Sequence, residues 1–261
     1  PDSTSRAYWW VMIENLEPNL DAPVIAVRGN GPLSGTVVVP GAKNSVLKLM
    51  AATLLCDGTF EITNVPAIAD VSIMSDLLVA IGVTIERPSP DRLLLTDTGD
   101  LTPVAPYELV ERIRASINVL GPLLTRCGHV RLSMPGGDDF GARPIDMHVA
   151  GLEAMGATFK FSHGYLEASA DRLHGADIAF EFPSVGATEN LLTAAVLADG
   201  RTTIDNAARE PEITDLCEFL IAMGAQVSGV GTSTLVIDGV ESSALRAVSH
   251  HTVPDRIQAA T

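Results

Sequence analysis

Three stretches of the chain repeat one pattern of apolar, small and polar positions. Leu78-Val79-Ala80-Ile81-Gly82-Val83-Thr84-Ile85 aligns with Leu152-Glu153-Ala154-Met155-Gly156-Ala157-Thr158-Phe159, and both align with Leu220-Ile221-Ala222-Met223-Gly224-Ala225-Gln226-Val227. Each predicts a helix that stops at glycine and passes into a strand, because glycine accepts the left-handed conformation that closes a helix. A second trio, Gly58, Gly128 and Gly200, follows apolar helices and precedes the alternating strands Thr59–Thr63, His129–Ser133 and Arg201–Asp205. The paired glycine marks lie 24, 28 and 24 positions apart. A further strand follows in each case, at Leu93–Thr96, Tyr165–Ser169 and Leu235–Asp238. The unit of helix, strand, helix, strand, strand therefore recurs roughly every 70 residues. Strands alternating with helices predict an α/β domain, here three units around a common core.

Outside the repeats the pattern changes. Thr36-Val37-Val38-Val39 predicts a strand that leads through Pro40-Gly41 into a helix opening at Ala42-Lys43-Asn44. Residues 1–23 read as a loose N-terminal extension, with Met12 a candidate start. Their apolar run Tyr8–Ile13 is too short for a signal peptide and lacks its basic flank. Pro254-Asp255-Arg256-Ile257 opens another helix, since proline and then Asp suit a helix start. That helix is still running at Thr261, which leads us to expect a piece of a longer protein. His250-His251 reads as linker, and His129 and His148 have no ligand partner at metal spacing.

Three departures in the pattern are candidates for chemistry. The middle unit alone carries four extra residues, within Met134–Pro144, and loops on a rigid scaffold carry sites. Lys43 and Arg143 stand at predicted helix starts, and counting back from the glycine marks places Arg114 at one too. A cation there opposes the helix dipole at a cost of about 0.3–1 kcal/mol, and a bound anion would resolve the conflict. Ser184 is a candidate N-cap for a helix opening at Pro183-Ser184-Val185-Gly186.

Composition narrows the classes. The chain has 261 residues, with 17 Lys+Arg against 32 Asp+Glu and a net charge of −15. That argues against nucleic acid as a partner, which needs a basic face. With 46% hydrophobic residues the chain is globular rather than disordered. No apolar run reaches the roughly 18 residues of a membrane helix, so no membrane insertion is expected. Cys56, Cys127 and Cys217 are odd in number and scattered, which fits a reducing, cytoplasmic location rather than disulfides or a metal site. No Walker or dinucleotide glycine loop is present.

Several ordered motifs together resemble one family. They are Gly41-Ala42-Lys43-Asn44, Arg114-Ala115-Ser116 with Leu120-Gly121-Pro122-Leu123, Pro135-Gly136-Gly137 with Gly141-Ala142-Arg143-Pro144-Ile145-Asp146, Ser184-Val185-Gly186-Ala187-Thr188, Asn206–Glu212, and Pro254-Asp255-Arg256. From about Val27 onward the chain resembles the enolpyruvyl transferases that act on UDP-N-acetylglucosamine. The resemblance implies one of the two inside-out α/β barrels of that fold, each built of three βαβαββ units. Residues 43–252 would form the complete repeat domain, and residues 24–42 and 253–261 would be remnants of the second barrel.

The implied activity transfers the enolpyruvyl group of phosphoenolpyruvate to the 3-hydroxyl of the nucleotide sugar and releases phosphate, the first committed step of peptidoglycan synthesis. The family needs no metal or organic cofactor. By resemblance, Lys43 and Asn44 would contact phosphoenolpyruvate. Arg114, Arg143, Pro144, Ile145, Asp146, Met147, Ser184, Val185 and Gly186 would contact the nucleotide sugar. Asp138 occupies the loop position that usually holds a catalytic Cys, as in actinobacterial-type members. Asn118 stands where a Trp is often found, Ala69 where a Lys is, and Phe182 where some members carry a Lys. Two other readings stay open: transfer to another uridine nucleotide, and a catalytically inactive chain. The signatures favour the nucleotide-sugar branch over the shikimate-phosphate branch. The sequence leaves the oligomeric state undetermined.

Overall fold

The computed structural model describes residues 29, 31, 32, 34–137 and 144–261. The chain divides into two units, 1–38 and 39–261. In the first, the described residues carry no helix or strand. The strand expected at Thr36–Val39 is thus not formed, and Val37 and Val38 are 84% and 89% exposed. A valine run becomes a strand only when another strand takes up its N–H and C=O groups, and among the described residues none does. The extension read at 1–23 lies outside the described residues.

The second unit contains the three repeats. The first comprises α1 (Lys43–Ala52), β1 (Gly58–Thr63), α2 (Ala69–Ile81), β2 (Thr84–Ser89) and β3 (Arg92–Asp97). The second begins with the short helix α3 (Tyr107–Val110) and a 3-10 turn, Arg114–Val119, that runs into α4 (Leu120–Cys127). It continues with β4 (His129–Ser133), α5 (Asp146–Ala154), β5 (Thr158–Ser162) and β6 (Tyr165–Ser169). The third comprises β7 (Asp177–Ala179), α6 (Val185–Ala195), β8 (Arg201–Asp205), α7 (Pro211–Met223), β9 (Gln226–Ser228) and β10 (Thr234–Asp238). β11 (Ser249–His251) and α8 (Arg256–Ala260) follow.

The six marker glycines all have positive φ, between 72° and 128°. At Gly82 a β-carbon would come within 2.7 Å of the Asp100 carbonyl oxygen, so space as well as conformation demands glycine there. The middle repeat departs from the others at Pro122. Proline has no N–H to give the Asn118 carbonyl, so regular α-helix begins only at Leu120 and the preceding turn is wound tighter.

Each repeat forms its own sheet, ordered β11-β1-β3-β2, β4-β6-β5 and β7-β8-β10-β9. Every sheet has a parallel edge contact: β11 on β1, β7 on β8, and in the middle a single bridge from Val104 to Arg131. Because β11 follows the third repeat yet pairs with the first, the ring of three units closes. His250-His251, expected as linker, is therefore a strand. Its partner β1 recruits it, and His250 Nε2 lies 2.8 Å from Asp215 Oδ1 on α7.

The helices fill the interior. Nine residues of α6 and seven of α1 are buried. A helix buried on nearly every face belongs to the core, and its polar residues there need partners of their own. α6 packs on α4, α5 and α7, and α1 packs on α2 and α7. Helices inside and strands outside match the expected inside-out arrangement. The strands form three separate sheets rather than one closed barrel. Among the described residues no helix is long and apolar enough to cross a membrane.

Candidate functional site: a cleft at three helix starts

The start of α1 is pinned by the chain around Pro254. Gly41 bridges Pro254, Ala42 N donates to Val253 O at 2.7 Å, and Lys43 N donates to Asp255 Oδ2 at 3.2 Å. A β-carbon on Gly41 would come within 1.8 Å of the Asn64 carbonyl oxygen, so glycine is what lets these backbones meet. Lys43 is thereby held at the first helical position. Its ammonium lies 3.3 Å from Asp70 in the first turn of α2. The conflict between this cation and the helix dipole is thus relieved in part from within.

Arg114 opens the 3-10 turn of the middle repeat. Its guanidinium donates to the Pro135 and Pro144 carbonyls, each at 3.4 Å. These are the two flanks of the inserted loop. Gly137 N donates to Glu111 O at 3.0 Å, so the near flank lies on the segment between α3 and Arg114. Asp138 and Arg143 lie outside the described residues.

Ser184 caps α6 as expected, with its Oγ accepting from Ala187 N at 3.3 Å. Beneath this cap lies His148, which sequence reasoning set aside and which is 5% exposed. Its ring meets Asn190, a buried hub on α6. Asn190 Oδ1 accepts from Gly121 N at 2.8 Å. Nδ2 then donates to Ile117 O at 3.0 Å and to His148 Nδ1 at 2.9 Å. With Nδ1 accepting, the imidazole proton sits on Nε2. A β-carbon on Gly186 would lie 3.3 Å from that nitrogen, so this edge of the imidazole lies against the start of α6. Burial first, and then the Arg114 charge, push this histidine down to about 4, while Asp146 acts weakly the other way. It is neutral at physiological pH.

These starts face one cleft of about 800 Å³. Its walls include Lys43, Asn44, Arg114, Pro144, Ser184, Val185 and Gly186, all proposed from the sequence. Ile145, Asp146 and Met147 are not among its lining residues: Ile145 belongs to the core, and Met147 packs against it. Lys48, Arg112, Asn118, His148 and Glu189 line it as well, none of them singled out as contacts beforehand. Four cations, Lys43, Lys48, Arg112 and Arg114, thus line the cleft beside three carboxylates, Asp70, Glu111 and Glu189, in a chain whose net charge is −15. With three helix starts beside them, the cleft is suited to ligands bearing several negative charges. Among the described residues no cluster of His, Cys, Asp or Glu could hold a metal ion.

A closed ring of three repeats with cationic helix starts at one cleft is the domain type of the enolpyruvyl transferases. A family profile described as EPSP synthase (3-phosphoshikimate 1-carboxyvinyltransferase) matches residues 27–261, and the chain belongs to that family. Within it, the chain is 52% identical over 235 residues to the UDP-N-acetylglucosamine 1-carboxyvinyltransferase of Corynebacterium jeikeium, covering 90% of this chain and 56% of that one. Against the protein of the same name from Nocardia farcinica the identity is 53% over 240 residues, covering 90% and 56%. The chain therefore spans about half the length of the curated relatives it matches. Among solved structures, the enolpyruvyl transferase NikO of Streptomyces tendae superposes with a TM-score of 0.77 at 25% identity, covering 88% of this chain and 54% of that one. EPSP synthase of Acinetobacter baumannii shares the fold, with a TM-score of 0.68 at 19% identity, covering 87% and 51%.

Proposed function

We propose that this chain supplies the nucleotide-sugar half of an enzyme that moves the enolpyruvyl group of phosphoenolpyruvate to the 3-hydroxyl of UDP-N-acetylglucosamine. The observation that carries this reading is the convergence of Lys43-Asn44, Arg114 and Ser184-Val185-Gly186, one set from each repeat, on a single cleft. The names of the relatives at 52–53% identity support the same acceptor over another uridine nucleotide. The enzyme would act in the cytoplasm, in the first committed step of peptidoglycan synthesis.

The chemistry is an addition followed by an elimination. It needs cations for a carboxylate and phosphates, a proton donor to the methylene carbon, and a base for the sugar hydroxyl. Lys43 and Asn44 would hold phosphoenolpyruvate, and Arg114, Arg143 and the start of α6 would hold the nucleotide sugar. Asp138 would donate the proton. We assign residues 43–252 to one complete barrel, and residues 24–42 and 253–261 to a second barrel. The pairing of Gly41 with Pro254, where the chain enters and leaves the ring, supports that division.

The test has two arms. Titration calorimetry on the 261-residue chain should detect UDP-N-acetylglucosamine, whereas phosphate release from the substrate pair should stay below about 1 s⁻¹, an ordinary enzyme rate. Loss of the remaining positioning groups removes several kcal/mol of barrier reduction. The chain completed to the length of its relatives should turn over. Turnover by the completed protein on a different uridine nucleotide only, or none at all, would overturn the assignment.

A further inference from the structure

Glu189 lies in the middle of α6, on the floor of the cleft, with its side chain 2% exposed. Neither carboxylate oxygen receives a directed hydrogen bond. The Lys48 ammonium, from α1, lies 3.4 Å from Oε1, which is pairing distance without good bond geometry. Lys48 also donates to the Asn44 carbonyl at 2.8 Å and lines the cleft itself.

The remaining surroundings offer little charge compensation. The Asn118 amide of the 3-10 turn lies alongside and weakly favours the charged form, while its own Oδ1 is unpartnered. Glu212 of α7 acts on Glu189 as a like charge and is held by Arg256 at 3.1 Å. His148 of α5 is neutral. Arg126 of α4 is turned to Asp57 and Asp97. The inward residues of β8 and β10 include Ile204, Leu235 and Ile237, all uncharged.

Burial disfavours the charged carboxylate, while Lys48 and, more weakly, the Asn118 amide favour it, so Lys48 is the one cation that keeps the balance. Burial, the larger effect, pushes the group up to about 7. A phosphate-bearing ligand in the cleft would compete for the same ammonium and exclude water. Both changes favour the neutral acid.

We propose that Glu189 takes up a proton from solvent when a phosphate-bearing anion enters the cleft, which frees Lys48 to pair with the ligand. One O–H bond forms on Glu189, the buffer supplies the proton, and nothing is oxidised or reduced. The ion pair thus stores a substrate-binding cation until the substrate arrives. This inference rests on the nucleotide-sugar reading of the cleft.

The experiment is calorimetry of the 261-residue chain with UDP-N-acetylglucosamine, and separately with UDP, at pH 7.5 in two buffers of different ionisation heat. Uptake should be on the order of half a proton per ligand, the value for a group near 7 that shifts up by about one unit. Glu189→Gln should still bind with uptake near zero. Because that variant could misfold, ¹³C NMR of labelled glutamate in the unsubstituted chain gives a second reading. One buried carboxyl should titrate near neutrality, and its midpoint should rise on saturation with UDP. Binding with a heat independent of buffer, or full uptake in Glu189→Gln, overturns this proposal and leaves the substrate reading standing. Uptake with UDP but no binding of the nucleotide sugar overturns the substrate reading and leaves this one standing. No binding of either probe overturns both.

Discussion

Replacing Asn190 with Ala should be among the more costly single changes in the ring. Its amide makes three buried hydrogen bonds, to Gly121 N, Ile117 O and His148 Nδ1. Alanine orphans all three partners. A buried polar group left without its partner costs about 1–3 kcal/mol, while a typical bond contributes about 1 kcal/mol net. Taking about 1–1.5 kcal/mol for each lost contact gives roughly 3–5 kcal/mol. For a domain of this size that lowers Tm by on the order of 10 °C. Urea denaturation monitored by circular dichroism measures the loss directly. ¹⁵N NMR of the histidines adds a reading that mere destabilisation would not move: His148 should lose its fixed Nε2–H tautomer. A stability loss under about 1 kcal/mol, or an unchanged tautomer, would refute the view of Asn190 as the hub that joins the second and third helix starts.

Three further changes test other parts of the site. Gly136→Ala would place a β-carbon 1.7 Å from the Glu111 carbonyl oxygen. It should cost about 1–3 kcal/mol by overpacking, seen as a lower urea midpoint, and an unchanged midpoint would contradict the close approach. In the completed protein Asp138→Ala should lower kcat by roughly 10²–10⁴, whereas Asp139→Ala should not. Because a carboxylate is a poorer nucleophile than a thiolate, fosfomycin, an epoxide, should inactivate the Asp138→Cys variant only. His148 sits near 4 when folded, against the 6.5 of an ordinary imidazole. The unfolded chain therefore binds the extra proton between those values, and stability falls as pH drops through that window. The loss approaches about 3 kcal/mol below pH 4. His148→Gln should remove this part of the acid sensitivity, and equal acid sensitivity in variant and parent would refute the assignment.

The repeat was legible in the sequence because glycine is nearly obligatory where a helix must close against a neighbouring backbone. A β-carbon on Gly82 or Gly224 would come within 2.7 or 2.5 Å of a carbonyl oxygen. Their spacing alone therefore located helix ends and strands. The strands that escaped notice, β7 and β11, have three residues each and pair in parallel with distant partners. Such strands carry no alternation of their own. The reverse error at Thr36–Val39 has the same cause, since strand formation depends on a partner as much as on the residues. Site residues at helix starts were legible because a cation or a serine there conflicts with, or completes, a local pattern. Lys48, Glu189 and His148 were not, because each lies inside a helix. In Leu47-Lys48-Leu49 the lysine reads as an ordinary polar position. Only the packing of α1 on its neighbours turns it toward the cleft.

The three repeats share one backbone plan but place different chemistry at equivalent points. Each offers its first helix to the cleft: α1 with Lys43-Asn44, the 3-10 turn before α4 with Arg114, and α6 with Ser184. A strictly symmetric site would present the same group three times and could favour only a symmetric anion. Here one start carries an ammonium already balanced by Asp70. Another carries a planar guanidinium held by the flanks of the inserted loop, and the third carries a neutral cap with the imidazole of His148 beneath it. Point charge, fork and neutral dipole suit different parts of an unsymmetrical polyanion. The buried amide of Asn190 bonds Gly121, Ile117 and His148, so it fixes the second and third starts relative to each other. On the proposed reading, specificity would arise from breaking the threefold pattern in side chains while the backbone keeps it. On that reading, the same rigid ring would let a four-residue insertion in one repeat act on a ligand bound across all three.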